Sequence, residues 1–175
     1  METPSSVCSS VSFLREDAPP FIPPQKLPGS GTGSQHTGRE LVLNDPPWPG
    51  HTYIIRFEDT SRVITYDKDK GILLAEYDGE PSQKWICHAK EGWLGFTNDP
   101  GESTLFIGHY NNKKLHCWVS HHLPGEMFCI RKRLGNGFQV LARVGGSLHP
   151  VGVDEAGDPA VVRHSKVWWG FTLIT

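Results

Sequence analysis

Three short stretches decide the fold: Gln83-Lys84-Trp85-Ile86-Cys87, Glu126-Met127-Phe128-Cys129-Ile130 and Val167-Trp168-Trp169-Gly170-Phe171. Each places a large aromatic residue two positions before an apolar or sulfur-bearing one. A period of two puts both side chains on one face of a strand. Trp85 and Phe128 are 43 residues apart, and Phe128 and Trp169 are 41 apart. Spacing this regular marks an internal repeat of about 42 residues, with Trp85, Phe128 and Trp169 as core anchors. Working back from each anchor, a strand-like run opens the unit: Tyr53–Phe57, Trp93–Thr97 and Phe138–Arg143. Between opening and anchor lie two more runs per unit, Arg62–Tyr66 and Ile72–Tyr77, Leu105–His109 and Leu115–Ser120, Leu148–Val153 and Ala160–Arg163. The anchor strands are Lys84–His88, Met127–Arg131 and Trp168–Ile174. Gly, Asp, Asn and Pro punctuate these runs, and long 3.6-residue periodicity is absent, so the body is all-β. Asn136-Gly137 reads as a tight hairpin turn.

Twelve short strands in three sets of four imply a β-trefoil. A propeller has units of similar length, but three blades are too few to close a ring. The Gln83-Lys84-Trp85 stretch resembles the QxW motif of the ricin-B-like lectins. Gly92-Trp93-Leu94-Gly95-Phe96, Leu105-Phe106-Ile107-Gly108, Leu115-His116-Cys117 and Glu126-Met127-Phe128 look more like fascin-like and other small intracellular fungal trefoils. The resemblance spans residues 50–175. It implies a module that binds a glycan, actin or another protein through its loops.

The chain has 175 residues, 14 of them proline, and nine of these fall in residues 1–49. A Gly/Ser-rich stretch at 28–38 adds flexibility there. Residues 1–49 are expected to be a disordered tail, with Leu41-Val42-Leu43 either a docking segment or part of a linker. Residues 50–175 are expected to be the folded domain. The net charge of −2 resides in the tail, where Glu2, Glu16, Asp17, Glu40 and Asp45 outnumber Arg15, Lys26 and Arg39. A formally neutral body argues against nucleic acid as the partner. No apolar run reaches the roughly 18–20 residues of a membrane span. The N-terminus has no basic segment followed by an apolar one, so the expected location is cytoplasmic. There the four cysteines, which show no CxxC spacing, are expected to remain thiols.

The second unit holds the densest polar set: Asp99, His109, Tyr110, Asn111, His116, Trp118, His121 and His122. Strand parity turns Trp118 and Trp168 outward. A sugar site needs a carboxylate or amide for hydroxyls and an aromatic platform for the ring. Asp99, His109, Asn111, Trp118 and His121 are therefore the candidate ligand-binding residues. No metal site is expected, because adjacent His121 and His122 face opposite sides of a strand and no ligand spacing is completed. Catalytic signatures are missing, and Cys117, which could be drawn with His121, sits at an inward position. No cofactor is implied. The primary expectation is a non-catalytic module binding carbohydrate or protein. The alternatives are a small enzyme or accessory factor of fungal secondary metabolism, and a fascin-like actin-binding module. The basic run Arg131-Lys132-Arg133 closes a strand and offers either a solvated end or a local anion contact.

Overall fold

The computed structural model describes residues 41–43, 46–98, 104–110, 114–135 and 137–174. Most of the expected tail and three singled-out residues, Asp99, Asn111 and Asn136, lie outside them. The strands are β1 (Leu41–Leu43), β2 (Thr52–Phe57), β3 (Arg62–Asp67), β4 (Gly71–Glu76), β5 (Trp85–Lys90), β6 (Trp93–Asn98) and β7 (Leu105–His109). They continue with β8 (Leu115–Val119), β9 (Phe128–Lys132), β10 (Phe138–Val144), β11 (Ser147–Val153), β12 (Pro159–Val161) and β13 (Trp169–Ile174). All twelve runs expected between Tyr53 and Ile174 are strands, with ends displaced by one or two residues. The only helical elements among the described residues are short 3-10 turns at Pro81–Gln83 and Pro124–Glu126, each just before an anchor strand. None is long and apolar enough to cross a membrane.

Six strands close a barrel in the order β2-β5-β6-β9-β10-β13, and β13 returns to pair with β2. The closing pair is antiparallel and runs from Trp169 opposite Phe57 to Ile174 opposite Thr52. Closure satisfies backbone groups that an open sheet would leave at its edges. Each anchor aromatic pairs with the strand that opens its own unit: Trp85 with Tyr53, Phe128 with Leu94, Trp169 with Phe138. The remaining strands form hairpins β3–β4, β7–β8 and β11–β12 beside the barrel. This is the β-trefoil topology.

The barrel is filled by aromatic side chains that alternation delivers inward. Phe171 lies 5.8 Å from Phe96 in a stacked pair and meets Tyr53 and Phe138 edge-on at 6.2 and 5.6 Å. Its neighbours thus come from β2, β6 and β10, so one ring ties all three opening strands together. Trp85 and Trp169 are completely buried and Phe128 nearly so. Burial of such rings dominates core energetics, but an indole N–H must find a partner. Trp85 Nε1 donates to the Ile64 carbonyl at 2.9 Å and Trp169 Nε1 to the Val151 carbonyl at 3.0 Å. Each bond fastens the barrel to the first strand of a hairpin. Phe128, lacking an N–H, makes no such bond.

Turn chemistry follows the sequence closely. Glu91 and Gly92 both have positive φ, 52° and 82°, joining β5 to β6 with Lys90 opposite Trp93. Two consecutive left-handed residues give the turn whose twist matches paired strands, and glycine takes the second without strain. At the β9–β10 connection Gly137 has φ +71° and its carbonyl accepts the Arg133 N–H.

β1 pairs antiparallel with β13, Leu41 opposite Leu173 and Leu43 opposite Phe171. β10 meets the same edge of β13 only at Trp169, so β1 takes up the length that β10 leaves. The docking alternative for 41–43 is therefore the one observed. The chain between β1 and β2 is also attached: Trp48 N–H donates to the Tyr53 hydroxyl, and Gly50 N–H to the Cys87 carbonyl.

Candidate functional site

The β3–β4 turn and β8 face each other across a cleft of about 220 Å³. Its walls are Tyr66, Lys68, Asp69, Lys70 and Gly71 on one side and Lys114, Leu115, His116 and Trp118 on the other. The turn is fixed by its own sequence. Asp67 Oδ1 accepts the backbone N–H groups of Asp69 (2.9 Å) and Lys70 (2.8 Å). Those bonds hold the Asp67 carboxyl below its ordinary range, and Gly71 supplies the left-handed closing residue at φ +83°. The other wall is a strand whose alternate residues face the cleft. His116 and Trp118 are two apart on β8, and their rings stack at 4.2 Å with only 11° between planes. At the root of this wall, Lys114 Nζ meets Asp158 Oδ2 at 2.7 Å, tying β8 to the β11–β12 turn.

Trp118 is 67% exposed, while His116 beneath it is 7% exposed. Neither ring nitrogen of His116 has a hydrogen-bond partner among the described residues. Burial pushes its pKa down, so at neutral pH the ring is an uncharged imidazole carrying one donor and one acceptor. The buried neutral ring backs the exposed indole from beneath, and the indole's outer face is left for the apolar face of a ligand.

The polar set of the second unit is divided by the fold. Among the described residues, Trp118 is the candidate ligand-binding residue that lines the cleft. His109 is turned away: its Nε2 lies 2.8 Å from the Arg143 carbonyl, which only accepts, so this nitrogen carries the proton. His121 is exposed and outside the cleft wall, and Asp99 and Asn111 lie outside the described residues. His122 points inward, stacked on Phe106 at 5.1 Å, with His88 against the same ring at 5.2 Å. His88 Nε2 also pairs with Thr97 Oγ1 at 2.7 Å. Burial lowers the pKa of both histidines. Trp168, expected to point outward, is half-buried. Its ring closes over Gly137, where a Cβ would stand 2.0 Å from Trp168 Cε3.

The cleft residues missed in sequence are Tyr66, Lys68, Asp69, Lys70, Gly71 and Lys114. They belong to a different repeat from Trp118, or to its preceding turn, and carried no motif. The signal was the Asp67–Gly71 turn itself, had the hairpins been packed against one another.

The described cysteines Cys87, Cys117 and Cys129 are free thiols, and Cys8 lies outside the described residues. Cys117 Sγ donates to the Leu105 carbonyl at 3.2 Å, and burial pushes its pKa up to about 12. A thiol held in that state is a poor nucleophile. Among the described residues no group of three His, Cys, Asp or Glu side chains could hold a metal ion.

No protein-family profile matches this chain, and no curated protein does. Solved structures do. One is a ricin B-like lectin of Macrolepiota procera in complex with lactose, similar with a TM-score of 0.53 and 16% sequence identity. The match covers 74% of this chain and 99% of that one. Identity this low speaks to the fold alone, and the chain is an all-β protein with the β-trefoil fold of that lectin.

Proposed function

We propose that this protein is a non-catalytic carbohydrate-binding module whose site is the cleft between the β3–β4 turn and β8. The observation that carries the reading is the exposed Trp118 ring, levelled by a buried His116 stacked directly on it. The apolar C–H face of a pyranose packs on the indole. Hydroxyls on its rim are met by Asp69 as acceptor and by Lys68 and Lys70 as donors. The cleft volume of about 220 Å³ admits one sugar ring better than an extended chain. The lactose complex of the structurally similar lectin supports the same ligand class.

The test is a glycan array followed by calorimetric titration of the best hit, with Trp118→Ala alongside. Loss of an aromatic anchor costs about 2 kcal/mol or more, roughly thirtyfold in affinity. Because Trp118 is two-thirds exposed, the thermal midpoint should barely move. A blank array, or equal affinity for the Trp118→Ala chain, defeats the assignment. No observation favours the fascin-like or enzymatic alternatives over this one.

A further inference from the structure

A second cleft, of about 330 Å³, lies on the third unit and has a different chemistry. Arg131 on β9 and Gln139 on β10 sit opposite each other in register and form one wall. Arg163, His164 and Ser165, on the loop between β12 and β13, form the other, with Leu148 at the margin. Every charged residue in its lining is basic.

The surrounding sequence sharpens the asymmetry. From Met127 to Val153 the chain carries Arg131, Lys132, Arg133 and Arg143 and no acid, and residues 159–175 add Arg163 and Lys166, again without one. The acids between these stretches are largely spoken for. Asp154 Oδ1 accepts the Ala156 and Asp158 N–H groups, and Asp158 pairs with Lys114. Neither the Arg131 nor the Arg163 side chain makes an ion pair or hydrogen bond with any described residue. Among the described residues this concave patch therefore carries two guanidinium charges and no carboxylate in its lining, and concavity focuses that field.

The loop wall is held in place. Val162 N–H donates to the Pro150 carbonyl at 2.9 Å, Val167 N–H to Ser165 Oγ at 3.1 Å, and Arg133 Nη1 to the Lys166 carbonyl at 2.8 Å. Ser165 packs so close to β11 that a Cβ on Gly152 would lie 2.8 Å from its Oγ. The basic run noted in the sequence thus has divided duties: Arg133 fastens the loop, and Arg131 is left facing it.

Guanidinium groups present planar forks of N–H donors that match tetrahedral oxyanions, with more directional hydrogen bonding than an ammonium gives. Gln139 adds an amide donor and Ser165 a hydroxyl. We propose that this cleft binds a tetrahedral phosphate or sulfate group, free or carried on a monoester, independently of the Trp118 site. Charge neutralisation supplies affinity, and the two arginines on opposed walls supply selectivity for a doubly charged or tetrahedral anion over a hydroxyl.

The experiment is calorimetric titration of the full chain with glucose 6-phosphate, glucose 6-sulfate, inorganic phosphate and glucose. Binding of the charged probes should exceed that of glucose by about tenfold or more and weaken as salt is raised. Preference among them names the source: an ester if the esters win, the free ion if inorganic phosphate matches them. R131Q/R163Q changes two exposed side chains and should keep the thermal midpoint while abolishing the preference. K132Q/K166Q removes the same charge from exposed residues outside both cleft linings and should retain it. The proposal is overturned if the charged probes bind no better than glucose. It is equally overturned if R131Q/R163Q keeps the preference or K132Q/K166Q loses it.

Discussion

Gln83 is the residue on which the first hairpin depends. It is 1% exposed, yet its amide reaches four partners. Oε1 accepts the N–H groups of Asp78 (3.0 Å) and Gly79 (3.2 Å). Nε2 donates to the Glu76 carbonyl at 2.8 Å and, more weakly, to Thr65 Oγ1 at 3.4 Å. One side chain therefore pins the turn after β4 to the entrance of β5, next to the Trp85 anchor. Gln83→Ala deletes all of these. Glu76 and Asp78 are exposed residues, so water can reach part of what is left, and the net value of about 1 kcal/mol per bond applies. Counting the three backbone bonds, the expected loss is about 3 kcal/mol. For a domain of this size it corresponds to a fall of roughly 10 °C in the thermal midpoint. Urea denaturation followed by tryptophan fluorescence gives the free energy directly, with an unchanged slope if only stability is altered. Gln83→Glu sharpens the argument. It keeps both acceptor bonds but sets a carboxylate oxygen against the Glu76 carbonyl, so at neutral pH it should do no better than alanine. Acidification should recover part of the loss, because a protonated carboxyl again donates. A loss under about 0.5 kcal/mol for Gln83→Ala would refute the view that this side chain holds the hairpin.

At the equivalent place before the second anchor stands Glu126, buried at 4% exposure, its Oε2 accepting the Leu123 N–H at 3.2 Å. Burial raises its pKa, so the folded state carries a penalty at neutral pH that eases as the group protonates. Glu126→Gln should leave stability equal or higher at pH 7 and flatten its acid dependence, measured by urea midpoints across pH; clear destabilisation at pH 7 would contradict this. His88, His116 and His122 act with the opposite sign, since burial lowers each pKa below its unfolded value. Their contribution is complete above about pH 6.5 and is lost as pH falls through that value, with a slope of at most about 1.4 kcal/mol per pH unit for each ring. The thermal midpoint should drop between pH 7 and 5.5, and a midpoint that rises there would reject the assignment of these rings as neutral.

The fold was legible because one kind of contact recurs: Trp85, Phe128 and Trp169 each pair with a strand that opens a set of four. Strand alternation turns Trp85, Cys87, Phe128, Ile130, Trp169 and Phe171 inward; the structure buries five of them and leaves Ile130 partly buried against the core. The parity that turned Trp118 outward also held. Trp168 shows where parity stops: it leaves the inner face as expected, yet Gly137 offers no Cβ and the ring settles over that gap instead of facing solvent. The polar set of the second unit was less readable, because a histidine serves equally as ligand group, strand clip or core filler. His109 went to a backbone carbonyl, His122 to the face of Phe106, and His116 under Trp118. Sequence proximity could not separate these roles; the side of the hairpin did.

Both clefts are assembled from residues far apart in the chain, and this follows from the architecture. The Asp67–Gly71 turn meets β8 in the first cleft, and the β12–β13 loop meets β9 and β10 in the second. The barrel topology brings these distant segments together, while their side chains decide what the clefts hold. The first cleft has an indole standing on a neutral imidazole, and the second has two guanidiniums with no acid in the lining. A binding experiment that perturbs one and spares the other therefore tests the reasoning at the level where the three units stop being alike.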